Sequence, residues 1–150
     1  MTTGQVRTTA GDVDPSLLGR VDYHEHLFQV SPLLPGDELT DEPASTAEAL
    51  LLRRSGFESM VDATPTGLGR RPAALARAAA AADLRVVTAT GAHREEHYGA
   101  CHWLLDLDAA ALADRFLAEL VDGLAETDEP TVATRVPARA TSPPSSTASA

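Results

Sequence analysis

His24, Glu25 and His26 stand in the run VDYHEHLF, residues 21–28, whose valine, tyrosine and phenylalanine favour an extended backbone. Side chains alternate between the faces of a strand. His24 and His26 therefore project to one side with Cα atoms roughly 7 Å apart, while Glu25 points to the other. Two imidazoles so placed can converge on one divalent ion at about 2 Å each. Spacing alone leaves a second reading open, a solvated surface pair, which is the commoner outcome for an isolated His-x-His.

Other residues offer weaker chemistry. His93-Arg94-Glu95-Glu96-His97 has the letters of His-x-x-Glu-His, in which two histidines share one helix face. Gly91 and Gly99 bracket it directly after a β-like run, leaving barely two helical turns, so a solvated loop is the better reading. Cys101 and His102 adjoin it without forming a pattern. Gly67-Leu68-Gly69-Arg70 lacks the third glycine and the lysine of a phosphate-cradling loop, and reads as the turn from a strand into its helix. Asp62, between Val61 and Ala63, reads as a structural carboxylate at a strand end. Trp103 and Phe116 read as core or loop anchors.

The elements that must position these groups alternate three times between strand and helix. After VDYHEHLF comes a loop rich in proline and polar residues, SPLLPGDELTDEP. Ser45 with Glu48 three positions on then suggests a capping box ahead of AEALLLRR, and Gly56 a helix stop. SMVDAT, residues 59–64, is the second extended run. Pro72 suits a first helical turn and AALARAAAAADL continues it, the alanines permitting close packing. RVVTAT, residues 85–90, is the third run. A last helix starts near Asp108, with Leu112, Phe116, Leu120 and Leu124 recurring at i+4 and Leu117 and Val121 widening that stripe. Such alternation predicts an α/β fold with parallel strands.

Composition sets limits. The chain has 150 residues and 43% of them are hydrophobic, but 27 are alanine, so the core is modest for its size. A net charge of −10 argues against nucleic acid or an anionic membrane surface as partner. The single cysteine excludes an intramolecular disulfide and suits a reducing, cytoplasmic compartment. The first residues, MTTGQVRTTAGD, carry no apolar stretch of signal-peptide length. All 12 cationic residues are arginine.

Two blocks carry a resemblance. VRTTAGDVDPSLLGRVDYHEHLF, residues 6–28, resembles the opening of the phosphotriesterase family within the amidohydrolase superfamily, where a short hairpin with a Gly-Asp turn runs into a strand ending in His-Glu-His-Leu. VDATPTGLGRRPAALARAAAAADLRVVTATGAHREEHY, residues 61–98, is similar to that family's second and third βα units. The resemblance implies about the first three units of a TIM (β/α)₈ barrel, and a hydrolase holding two divalent ions, usually zinc. In that family a metal-bound hydroxide attacks a phosphotriester, lactone or related small ester. The two ions lower the pKa of the bound water and polarise the oxygen under attack. His24 and His26 match the first-strand ligands of the more buried ion. No other catalytic residue is assigned, and the oligomeric state stays open.

The remaining family ligands are a carboxylated lysine on the fourth strand, histidines on the fifth and sixth, and an aspartate on the eighth. The chain has no lysine, and Arg135 and Arg139 stay protonated and form no carbamate. A full barrel needs ~250 residues. The sequence thus divides into residues 1–124, the N-terminal part of a barrel, and residues 125–150, a divergent Pro/Ser/Thr/Ala tail expected to be disordered. We read the whole as a truncated chain, interrupted near residues 125–135 by a frameshift or early stop, whose activity alone is doubtful. Reading the downstream nucleotides in all frames tests this, and a continuation lacking a lysine-bearing strand in every frame would refute it. The alternative is a non-catalytic barrel fragment that folds only with a partner chain.

Overall fold

The computed structural model describes residues 4–100 and 102–126. Cys101 and the expected disordered tail beyond residue 126 lie outside the described residues. The alternation predicted from sequence is present. Strand β1 (Val6–Thr8) and strand β2 (Gly11–Val13) form an antiparallel hairpin. Three further strands, β3 (Val21–Glu25), β4 (Ser59–Asp62) and β5 (Arg85–Thr88), make a parallel sheet in the order β3-β4-β5. The connecting helices are α1 (Glu42–Arg54) and α2 (Pro72–Ala82), and α3 (Ala109–Asp122) follows β5. Val21, Ser59 and Arg85 align at one end of the sheet, and Glu25 pairs with Asp62, which pairs with Thr88, at the other. The carboxyl ends of the strands thus share one mouth.

All three sheet strands stop short of their extended runs, and one side chain of β4 explains two of the stops. Asp62 is buried, and its Oδ2 accepts from the Leu27 amide at 3.2 Å while its Oδ1 accepts from the Thr64 amide at 3.0 Å. A carboxylate has replaced backbone carbonyls as the acceptor at both strand ends, so pairing gives way to a side-chain clamp. Asp62 is the structural carboxylate that the sequence suggested.

The core lies between sheet and helices. Phe28, Met60 and Val86 are buried against Ala49 of α1 and Ala74, Ala78, Ala79 and Ala82 of α2. Alanine at these positions lets α1 and α2 approach closely, and Arg77 bridges them at the surface by donating to both oxygens of Glu42 at 2.7 and 2.9 Å. Pro72 opens α2, as expected.

The capping box does not form. Helix α1 begins three residues before Ser45, capped by Asp41, whose Oδ1 accepts from the Ala44 amide at 3.1 Å. Pro43 fits only the first turn of a helix and so draws the start upstream. Ser45 is buried inside the helix and donates to the Leu27 carbonyl at 2.6 Å. The start of α3 is as expected, Asp108 accepting from the Ala111 amide at 2.9 Å.

The apolar stripe expected on α3 is only partly inward. Leu112 and Phe116 are half-buried, but Leu117 and Leu120 are each 59% exposed and Val121 is 64% exposed. The buried residue of this helix is Glu119. An ion pair, not the row of apolar side chains, has set the rotation of α3.

The outer edge of β5 is partly guarded. Arg85 and Ala89 donate to β4 and its preceding turn, so Val86 faces the other way, and its carbonyl accepts from the Thr9 amide at 2.8 Å. The leading hairpin thereby blunts an edge that would otherwise invite pairing. No helix among the described residues is long and apolar enough to cross a membrane.

Candidate metal centre

His24 lies on β3 and His26 directly after it, at the carboxyl ends of the three parallel strands. Their ring centroids are 5.2 Å apart and the planes stand at 80°. The alternation read from sequence has therefore put both rings on one side, despite a register irregularity between Asp22 and Glu25. His24 is exposed and its ring has no hydrogen-bond partner among the described residues; His26 is half-buried. The two rings are the pair that sequence singled out as zinc ligands.

His26 is held from below. Its Nδ1 lies 2.9 Å from the Thr64 hydroxyl, which in turn donates to the Phe28 carbonyl at 3.0 Å. The segment carrying the ring is pinned at Leu27 by Asp62 and Ser45 together. Burial pushes the His26 imidazole below its ordinary 6.5; Asp62 opposes this, His24 adds to it, and Glu25 opposes it. The net effect favours the neutral ring, which is the form that ligates a metal. Two imidazoles on one face fit two positions of a divalent ion's coordination shell. Among the described residues no group of three or more His, Cys, Asp or Glu gathers to complete it.

The loop after β5 approaches the same mouth. Glu95–His97 form a single 3₁₀ turn, so His93 and His97 do not share an α-helical face as a His-x-x-Glu-His protease site requires. Their rings stack 3.9 Å apart, and His97 Nδ1 lies 3.2 Å from the Ser31 hydroxyl. Trp103 is the anchor expected of it, packed against Leu68, Tyr98 and Leu104 with the Arg115 guanidinium 4.6 Å above its ring. Gly69 turns the chain as predicted: its φ is +80°, and a Cβ there would come within 2.8 Å of the Val30 amide nitrogen.

Sequence reading missed a second polar cluster. Arg70 Nη2 donates to Glu119 Oε1 at 2.8 Å and Nη1 to Oε2 at 3.2 Å, with both side chains buried. Thr66 and Thr90 donate to the same carboxylate, and Arg70 Nη1 also donates to the Ala89 carbonyl at 3.2 Å. Burial works to raise the Glu119 pKa. The hydrogen bond and charge of Arg70, the Thr90 hydroxyl and Arg115 outweigh it and hold the carboxyl below its ordinary 4.5. Forty-nine residues separate Arg70 from Glu119, and no local pattern marks such a pair. Thr64 was missed too, although its place two residues after Asp62 is where an aspartate side chain commonly captures a backbone amide.

A cavity of about 400 Å³ lies apart from the histidines, between the hairpin, α2, β5 and α3. Its charged walls are already paired, Arg7 with Asp12 at 3.1 Å and Glu119 with Arg70.

Residues 4–147 match the profile of the phosphotriesterase family. The chain is 32% identical over 136 residues to a phosphotriesterase homology protein of Mycobacterium tuberculosis, covering 82% of this chain and 41% of that protein. It is 29% identical over 163 residues to an N-acetyltaurine hydrolase of Danio rerio, covering 83% of this chain and 45% of that one. Among solved structures, a double mutant of organophosphorus hydrolase from Deinococcus radiodurans superposes with a TM-score of 0.69 at 28% identity, over 85% of this chain and 42% of that one. An amidohydrolase from Mycoplasma synoviae superposes with a TM-score of 0.76 over 90% of this chain and 41% of that one; at 23% identity, that likeness concerns the fold. The chain spans about two fifths of the length of the Mycobacterium relative.

Proposed function

The chain belongs to the phosphotriesterase family, and on that footing we propose that it supplies the first-strand metal ligands, His24 and His26, of a zinc-dependent hydrolase acting on small phosphotriesters, lactones or related esters. The observation that carries this reading is the pair of imidazoles 5.2 Å apart at the shared carboxyl mouth of β3, β4 and β5. In this reading the three parallel strands are the opening strands of a (β/α)₈ barrel, whose active sites lie at that mouth. The bound ions supply Lewis acidity and a water of lowered pKa. His24 and His26 hold one ion. Asp62 and Ser45 fix the backbone that carries His26. The remaining ligands come from outside the described residues, and the bridging one is not a lysine of this chain, which has none.

A second reading, a non-catalytic barrel portion that needs a partner chain, draws on Leu117, Leu120 and Val121 standing exposed along α3. One pair of measurements separates the two: zinc content per chain after purification, and hydrolysis of an aryl ester, a lactone and an aryl phosphotriester with and without added zinc. Stoichiometric zinc with turnover that a chelator abolishes is the expected result for the hydrolase. Metal lost on dialysis together with no turnover on any of the three would overturn it in favour of the second reading.

A further inference from the structure

The Thr64 hydroxyl has two neighbours and a single proton. One neighbour, the Phe28 carbonyl at 3.0 Å, can only accept a hydrogen bond. The hydroxyl proton is therefore committed to Phe28. The other neighbour is His26 Nδ1 at 2.9 Å, and this contact is a hydrogen bond only if Nδ1 carries the proton and the Thr64 oxygen accepts it. In a neutral imidazole that leaves Nε2 with its lone pair free, and Nε2 has no hydrogen-bond partner among the described residues.

Thr64 is itself fixed. It is 1% exposed, and its amide donates to Asp62 Oδ1, while the other oxygen of the same carboxylate accepts from Leu27, the residue after His26. Asp62 thus positions both the hydroxyl and the strand end that carries the ring.

Resting on the metal reading above, we propose that Thr64 is a positioning residue which locks His26 as the Nδ1–H tautomer and so presents Nε2 to the divalent ion. The hydroxyl touches neither metal nor substrate and acts only through the ring. A ring without this bond divides between tautomers and orientations, and loss of such a partner typically weakens metal affinity by about 10- to 100-fold.

The test reads the tautomer directly. Long-range ¹H–¹⁵N correlation spectra are recorded on the full chain, free of metal, at a pH where the imidazole is neutral; the His26 signals are identified by their absence from His26→Asn. The expected pattern is a protonated Nδ1 and an unprotonated Nε2 in the native chain and in Thr64→Ser. In Thr64→Val the pattern moves toward protonated Nε2, and zinc affinity falls by about 10- to 100-fold. A native spectrum with Nε2 protonated, or a Thr64→Val spectrum identical to the native one, overturns the proposal whatever zinc does. Should Thr64→Val fail to fold, the native spectrum alone decides. A native Nδ1–H pattern lost in Thr64→Val, in a chain that binds no zinc, upholds the positioning by Thr64 and overturns the metal reading instead.

Discussion

At the mouth of β3 and β4, the buried groups Asp62, Thr64 and Ser45 direct their hydrogen bonds to backbone or to one nitrogen of His26, and the His24 ring is left exposed. Between β5 and α3, Arg70 donates to Glu119 and to the Ala89 carbonyl, and two threonine hydroxyls donate to the same carboxylate. Both regions bury polar groups and both join elements distant in sequence. The first holds one nitrogen of a half-buried imidazole and leaves the other without a hydrogen-bond partner among the described residues. The second is a closed ionic network whose work is to seat a helix. What sets the candidate site apart from the second cluster is therefore unsatisfied hydrogen-bonding capacity on a rigid support, not buried charge as such.

Removing Glu119 challenges that contrast most severely. Glu119→Ala leaves the Arg70 guanidinium buried without its carboxylate, and loss of about 3–5 kcal/mol of stability is expected in urea unfolding. A loss below about 1 kcal/mol, within the range of a surface ion pair, would mean that the network does not seat α3.

Acid should act through the same carboxylate. The Glu119 pKa is lowered in the folded chain, so its contribution is fully present above the ordinary 4.5 and is lost as pH falls from there through the folded value. Tm measured down the acid limb should drop for the native chain and drop less for Glu119→Gln. Parallel curves would assign the acid loss to other carboxylates.

Smaller effects are expected elsewhere. On the histidine side, Ser45→Ala removes a buried hydrogen bond of 2.6 Å and leaves the Leu27 carbonyl without that donor; about 1–2 kcal/mol should be lost on thermal unfolding. Leu117→Gln changes a residue of α3 that is 59% exposed, and a change within about 0.5 kcal/mol is expected, although the apolar period of the helix would place it inward. A cost of about 2 kcal/mol or more would mean that the helix buries this face in solution.

These residues also show what could be read from the sequence. Strand alternation sufficed for His24 and His26, because a period of two is a local property that survives folding, even across the register irregularity of β3. The order of strands and helices was legible from local pattern too, as was the start of α3 near Asp108. The start of α1 was misplaced because two local signals competed and Pro43 with Asp41 prevailed over Ser45 with Glu48. The inward face of α3 was misjudged because a single long-range ion pair outweighed three apolar side chains, and nothing within a helix-length window of sequence announces a partner forty-nine residues away. Thr64 escaped because its partners lie across the sheet.

Whether His24 and His26 act together as the metal-binding face is decided by titrating zinc into the native chain, His24→Ala, His26→Ala, His93→Ala and His97→Ala. We expect either of the first two changes to weaken zinc binding by at least about tenfold, since each removes one of two imidazole ligands, and the last two to leave it unaltered. Affinity that survives in His24→Ala and His26→Ala, or that disappears only with His93 or His97, would refute the pairing.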